Sequence, residues 1–116
     1  MLVSTGAPIS VMTVKSSMIN KSVTANTNIL STGITSYYNC IFRIYACFNT
    51  DGVLSIKRTQ GSTTVTEILN GGNDLIANSA YAFDIIVEKD EVINLQFSVN
   101  ATALTLKVLE IASGGW

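Results

Sequence analysis

Hydroxyl and thiol groups are abundant in this chain, but nothing in the sequence can activate them. It has no histidine among its 116 residues, and a catalytic Ser, Thr or Cys needs a base within hydrogen-bond reach. Lysine could take that role, yet no Ser-x-x-Lys element on a helix occurs. The nearest run, "VKSSM" at 14–18, reads as ordinary β sequence. Zinc requires clustered Cys or His, and there are only two cysteines, Cys40 and Cys47. On one extended strand, seven residues place them on opposite faces and roughly 23 Å apart, far beyond the ~7 Å that a disulfide allows. Both are expected to be free thiols, with Cys40 buried, as suits synthesis in a reducing compartment. Glu88, Asp90 and Glu91 offer three carboxylates, but calcium asks for six to eight converging oxygens, and a tight turn splays such groups into water. "NGGN" at 70–73 lacks the Lys, the Ser/Thr and the following helix of a phosphate loop. It reads as a β-turn with Gly71 or Gly72 at positive φ. Asn20-Lys-Ser and Asn100-Ala-Thr match the glycosylation triplet, which carries weight only in a secreted chain. No catalytic residue, metal or cofactor is expected, and the protein is not expected to be an enzyme.

The elements that position these side chains follow from a period of two. Eight extended segments are expected, at 8–14, 22–30, 37–48, 53–59, 63–69, 81–88, 92–99 and 102–112. In the third, Cys40, Phe42, Ile44, Ala46 and Phe48 share one face, and Asn39, Ile41, Arg43, Tyr45 and Cys47 the other. The last three strands give an inner set of Tyr81, Phe83, Ile85 and Val87, of Ile93, Leu95, Phe97 and Val99, and of Leu104, Leu106 and Val108. "NTDG" at 49–52 is a hairpin signal between two strand-like flanks, and "QGS" marks a second tight turn. Helical periodicity fails almost everywhere, although a single helical turn fits near 74–78. Eight short strands in one domain predict an all-β, eight-stranded antiparallel β-sandwich of jelly-roll type. Residues 1–8 read as an N-terminal arm, 9–112 as the sandwich and 113–116 as a tail.

Charge narrows the partners. Charged residues make up 13% and apolar residues 47%, with a net charge of −1. Nucleic-acid binding needs clustered basic residues, and here the only adjacent pair is Lys57-Arg58. No run approaches the roughly 18–20 apolar residues of a membrane helix. The N-terminus "MLVSTGAPISVMTVK" lacks a charged segment followed by a continuous apolar one, so a cytoplasmic product is expected.

A surface so poor in charge is expected to be covered by neighbours. Sandwiches that stay apart protect their sheet edges with Lys, Pro or bulges, and this chain has one proline, Pro8. Ile86, Leu109 and the Ile41/Arg43/Tyr45/Cys47 face are the candidate assembly surface, together with Pro8 and Trp116 in terminal segments of a kind that order against a neighbour. Carbohydrate binding is the alternative, through exposed Tyr37, Tyr38 or Trp116 stacking on sugar faces.

The pattern "ANTNILSTGIT", then "CIFRIYACFNTDGVLSIKRTQGSTTVTEILNGGNDLIANSAYAFDIIVEKDEVINLQFSVNATALTLKVLEI", resembles small jelly-roll virion proteins of tailed phages and related archaeal viruses. The likeness spans residues 25–112. It implies a non-enzymatic structural protein, made in the host cytoplasm and residing in the virion. Its expected place is as a capsid decoration (cement) protein, commonly a homotrimer seated on major capsid protein, or as a tail or fibre component.

Overall fold

The computed structural model describes residues 9–114, and the side chains of residues 12–111. Within them the chain forms eight strands: β1 (Ile9–Val23), β2 (Ile34–Thr35), β3 (Cys40–Phe48), β4 (Leu54–Gln60), β5 (Thr63–Ile68), β6 (Tyr81–Val87), β7 (Val92–Phe97) and β8 (Ala101–Gly114). A 3₁₀ turn at Asn70–Gly72 is the one helical element among the described residues, placed before the expected turn at 74–78. Both of its glycines take positive φ, +62° and +82°.

The strands make two four-stranded antiparallel sheets, ordered β1-β8-β3-β6 and β2-β7-β4-β5, here named the β3 sheet and the β4 sheet. They stack as a β-sandwich. Alternation fixes what lies between them: Phe42, Ile44, Ala46 and Phe48 of β3 face Leu54 and Ile56 of β4 and Ile93, Leu95 and Phe97 of β7, all buried. The Phe48 and Phe97 rings stack across the gap, 3.8 Å between centroids and 6° from parallel. Of the inner residues expected in the last three strands, Tyr81, Phe83 and Val99 only flank the core and the others are buried.

Two expectations give way to tertiary context. The segment 22–30 is not a strand. β1 instead runs on to Val23 along β8, with register irregularities after Val14 and on either side of Lys21, and Asn20 adopts φ +57° there. Residues 26–35 then strap the edge of β7. Asn26 and Ile29 donate backbone N–H to the carbonyls of Phe97 and Leu95, and Ile34 and Thr35 complete a two-residue ladder.

"NTDG" is not a hairpin either, since β3 and β4 lie in different sheets. Neither Asp51 nor Gly52 takes the positive φ that a type I′ turn requires. Gly52 is there for space, because a Cβ would sit 2.6 Å from the Phe97 ring. Asp51 accepts the N–H of Ala77 at 2.7 Å, tying this corner to the next loop. The link between β6 and β7 is likewise a corner between sheets. Only "QGS" joins paired neighbours, with Gly61 at φ +62° leading the turn.

Candidate functional site

On β3 the outward residues are Ile41, Arg43, Tyr45 and Cys47, because the inward positions take the apolar side chains that close the core. Strand pairing extends this face sideways. Ile41 pairs with Ile86 on β6 and with Ile111 on β8, and Ile111 pairs with Met12 on β1. One apolar row, Ile86–Ile41–Ile111–Met12, therefore crosses all four strands. The next row is Asp84–Arg43–Leu109–Val14, followed by Ala82–Tyr45–Lys107–Ser17. Beyond these, Cys47 and Ile19 both pair with Thr105.

Six of the residues expected from sequence to form an assembly surface, Ile41, Arg43, Tyr45, Cys47, Ile86 and Leu109, thus fall on one sheet face. Pro8 and Trp116 lie outside the described residues. Met12, Val14 and Ile111 belong to the same face and were not anticipated. Their signal is the same alternation, since Met12 and Val14 share one side of β1, and Ile111 stands two positions from Leu109 on β8. Ile86 is 73% exposed, Val14 60% and Met12 57%, although each is a large apolar side chain.

The charges on this face are few. Arg43 meets Asp84 across the ladder with two hydrogen bonds, Nε to Oδ1 at 2.8 Å and Nη2 to Oδ2 at 2.9 Å. The hydrogen bonds from Arg43, and then its charge, hold the Asp84 carboxyl below its ordinary value. The pair neutralises itself in place.

A second cluster escaped sequence reading because it joins three strands without a motif. Arg58 bonds Glu67 through Nε (2.6 Å) and, through Nη1, both Glu91 (3.0 Å) and the carbonyl of Ile86 (2.7 Å). Glu91 is buried, and its other carboxylate oxygen accepts the N–H of Glu88. This network ties β4 to the β6–β7 corner, and it stands where a calcium loop was weighed. Among the described residues no cluster of three or more Asp, Glu, Cys or His side chains could hold a metal ion.

Chemistry finds little purchase elsewhere. Cys40 is half-buried rather than buried and Cys47 is half-buried; both are free thiols. Burial pushes the Cys40 thiol up, against a hydrogen bond from Ser36 that lowers it, and the nearby Glu110 carboxylate raises it further. A thiol held protonated is a poor nucleophile. Tyr37 and Tyr38 stand exposed in the β2–β3 loop, and the Lys15 ammonium lies 5.4 Å over the Tyr37 ring, occupying one of its faces. A shallow depression of about 290 Å³ adjoins Tyr37, floored by Leu30, Gly33 and Ile34.

No helix among the described residues is long and apolar enough to cross a membrane. No protein-family model and no curated protein sequence matches this chain. The β-sandwich and its unusual outer face are therefore what bear on function.

Proposed function

We propose that this protein is a non-enzymatic structural subunit of a virus particle, a capsid decoration protein that binds the assembled shell and stabilises it. The observation that carries the reading is the apolar row crossing all four strands of the β3 sheet, of which Met12, Ile41 and Ile86 are exposed among the described residues. A monomer seldom exposes a contiguous apolar patch of this kind unless a neighbour covers it.

The strand order adds support. With β1-β8-β3-β6 stacked on β2-β7-β4-β5, the chain changes sheet at nearly every connection, as two nested Greek keys would require, which supports reading the sandwich as a jelly roll. The family that the sequence resembles uses that fold for virion parts, commonly as homotrimers on major capsid protein. A protein that binds the lattice but not free shell subunits favours the assembled state by mass action.

A tail or fibre module recognising a cell-surface glycan is the second reading. It is favoured by the exposed neighbouring rings of Tyr37 and Tyr38. Immunogold labelling of purified particles from the virus that encodes the chain separates the two. Label over the shell is the expected result, label confined to the tail would favour the glycan reading, and particles free of label would overturn both.

A further inference from the structure

We propose that the strap at 26–35 and the surfaces on either side of it form a binding groove for an acidic carbohydrate, a sugar chain that carries carboxylates. The inference deepens the glycan reading above, on which it rests. It moves the contact surface from the two tyrosines to a groove, and it names the charge of the ligand.

Two depressions meet at Gly33. The first, about 290 Å³, lies toward β1 between Lys15, Ser31, Thr32 and Tyr37, over the buried Leu30 and Ile34. The second, about 370 Å³, lies on the outer face of the β4 sheet between Asn28, Lys57, Thr64 and Gln96. Together they reach the ~300–1,000 Å³ of an ordinary ligand site. A Cβ on Gly33 would sit 2.4 Å from Val92 Cγ1, so glycine is what keeps the strap low where the two depressions join.

Each depression holds one ammonium. Lys15 is the extra residue of a β-bulge, since Val14 pairs with Leu109 and Ser16 with the next residue, Val108. A bulge re-aims its side chain, and here it carries the ammonium to the Tyr37 ring, 5.4 Å from the centroid. Lys57 stands between Asn94 and Thr66 in the outward row of the β4 sheet and donates to the Thr66 hydroxyl. No carboxylate lines either depression, and among the described residues neither lysine has an ion-pair partner. In a chain of net charge −1, two such cations on one surface favour an anion.

Amides and hydroxyls make that anion a sugar. Gln96 donates to Asn28 at 2.8 Å, and Asn94 holds Leu30 by two bonds, so these amides are fixed before a ligand arrives. Among the described residues the Gln96 carbonyl and the Asn28 amino group have no other partner. An acceptor beside a donor suits vicinal sugar hydroxyls, each of which gives and takes a hydrogen bond. Tyr37, 61% exposed, offers a ring on which a pyranose can lean. A nucleic acid asks for a larger cluster of cations than this.

The test is an NMR titration of the full chain with oligosaccharides of galacturonic, glucuronic and sialic acid. Their uncharged methyl esters and a single-stranded oligonucleotide are run beside them. At least one acidic sugar is expected to bind and to shift the amide signals of 31–35 and 57–59, its ester binding at least tenfold more weakly. Lys15→Met and Lys57→Met keep the apolar stem, and each should weaken binding about tenfold, as the loss of a charge-assisted hydrogen bond does. Lys107→Met, on the outer face of the β3 sheet, should leave binding unchanged. Circular dichroism melts establish that each variant is folded. Binding of none of the acidic sugars would overturn the inference, as would an affinity that both groove variants leave untouched, or an oligonucleotide that binds as tightly.

Failure here and failure of the glycan reading look different. An ester bound as tightly as its acid, and lost in Tyr37→Ala, sinks the acidic groove and keeps the glycan reading. An acidic sugar bound by a chain that labels only the shell keeps the groove and removes the tail location.

Discussion

The outer faces of the two sheets show what the same pleated backbone does with different side chains. On the β4 sheet the outward residues of β7, β4 and β5 are mostly polar, and they bond within the chain. Lys57 donates to Thr66 at 2.6 Å, Thr59 and Thr64 meet at 2.9 Å, and Gln96 donates to Asn28 at 2.8 Å. Asn94 goes further, receiving the N–H of Leu30 on its Oδ1 and donating its Nδ2 to the carbonyl of Leu30. On the β3 sheet the first outward row is wholly apolar, and among the described residues only Arg43 and Asp84 make a side-chain bond of this kind across the face. One face is finished by its own side chains. The other, among the described residues, keeps large apolar side chains exposed.

The sharpest check is that this difference stops at the outer faces. Phe97 lies under the β4 sheet and Phe48 under the β3 sheet, both fully buried and stacked on each other. Phe97→Ala and Phe48→Ala should each cost about 3–5 kcal/mol in denaturant unfolding. A large inequality between the two would mean that the sheets contribute unequally to the core.

Asn94→Ala comes next. It removes both partners of Leu30 where the 26–35 strap crosses the β7 edge, leaving a buried N–H and C=O unmet. The expected loss is about 2–3 kcal/mol. A loss below about 0.5 kcal/mol, the ordinary range for surface positions, would show that the polar outer face is decorative rather than structural.

Alternation made most of this readable from sequence, and its failures have a common cause. In β3, β6, β7 and β8, period two sorted the inner from the outer residues without further information, because each strand turns one face toward the core, although Tyr81 and Phe83 at the start of β6 reach only its margin. That is how Ile41, Arg43, Tyr45, Cys47, Ile86 and Leu109 could be grouped before any pairing was known. Met12 and Val14 were missed because β1 earns its place only through its pairing with β8, a contact that spans nearly the whole chain. The 22–30 segment alternates well enough to suggest a strand, but Asn26 turns it at φ +56° and the Asn94 side chain supplies the bonds that a ladder would have made. "NTDG" carries hairpin chemistry, yet Gly52 answers to the Phe97 ring rather than to a turn. The Arg58–Glu91 pair joins β4 to a distant corner and leaves no local trace.

The apolar face makes the opposite prediction from Asn94. Ile86→Ser, measured under conditions that keep the subunit monomeric, should change unfolding free energy by no more than about 0.5 kcal/mol, since its side chain touches mainly water. A loss of 2 kcal/mol or more would mean that Ile86 supports its own subunit, and the contrast between the faces would fail at its most exposed residue.

The smallest effect is electrostatic. Arg43 holds the Asp84 carboxyl below its ordinary value of 3.8, first by hydrogen bonding and then by charge. A depressed carboxylate contributes stability that is complete above the unfolded value and is lost as pH falls through the folded one. Wild type and Asp84→Asn should therefore differ slightly at neutral pH and converge below pH 3.8. In the isolated subunit the difference is minor, because both side chains are more than a third exposed and water screens an exposed pair. Covering the face changes this. Once a neighbour excludes water from the pair, the same protonation leaves the Arg43 guanidinium buried without a counter-charge, and that costs far more than it does in solvent. Acid should then release a neighbour bound over this face more steeply than it unfolds the subunit. In Asp84→Asn, where Arg43 never has its counter-charge, association should be weakened already at neutral pH. Equal acid sensitivity of association in wild type and variant would place the Arg43–Asp84 pair outside the covered area.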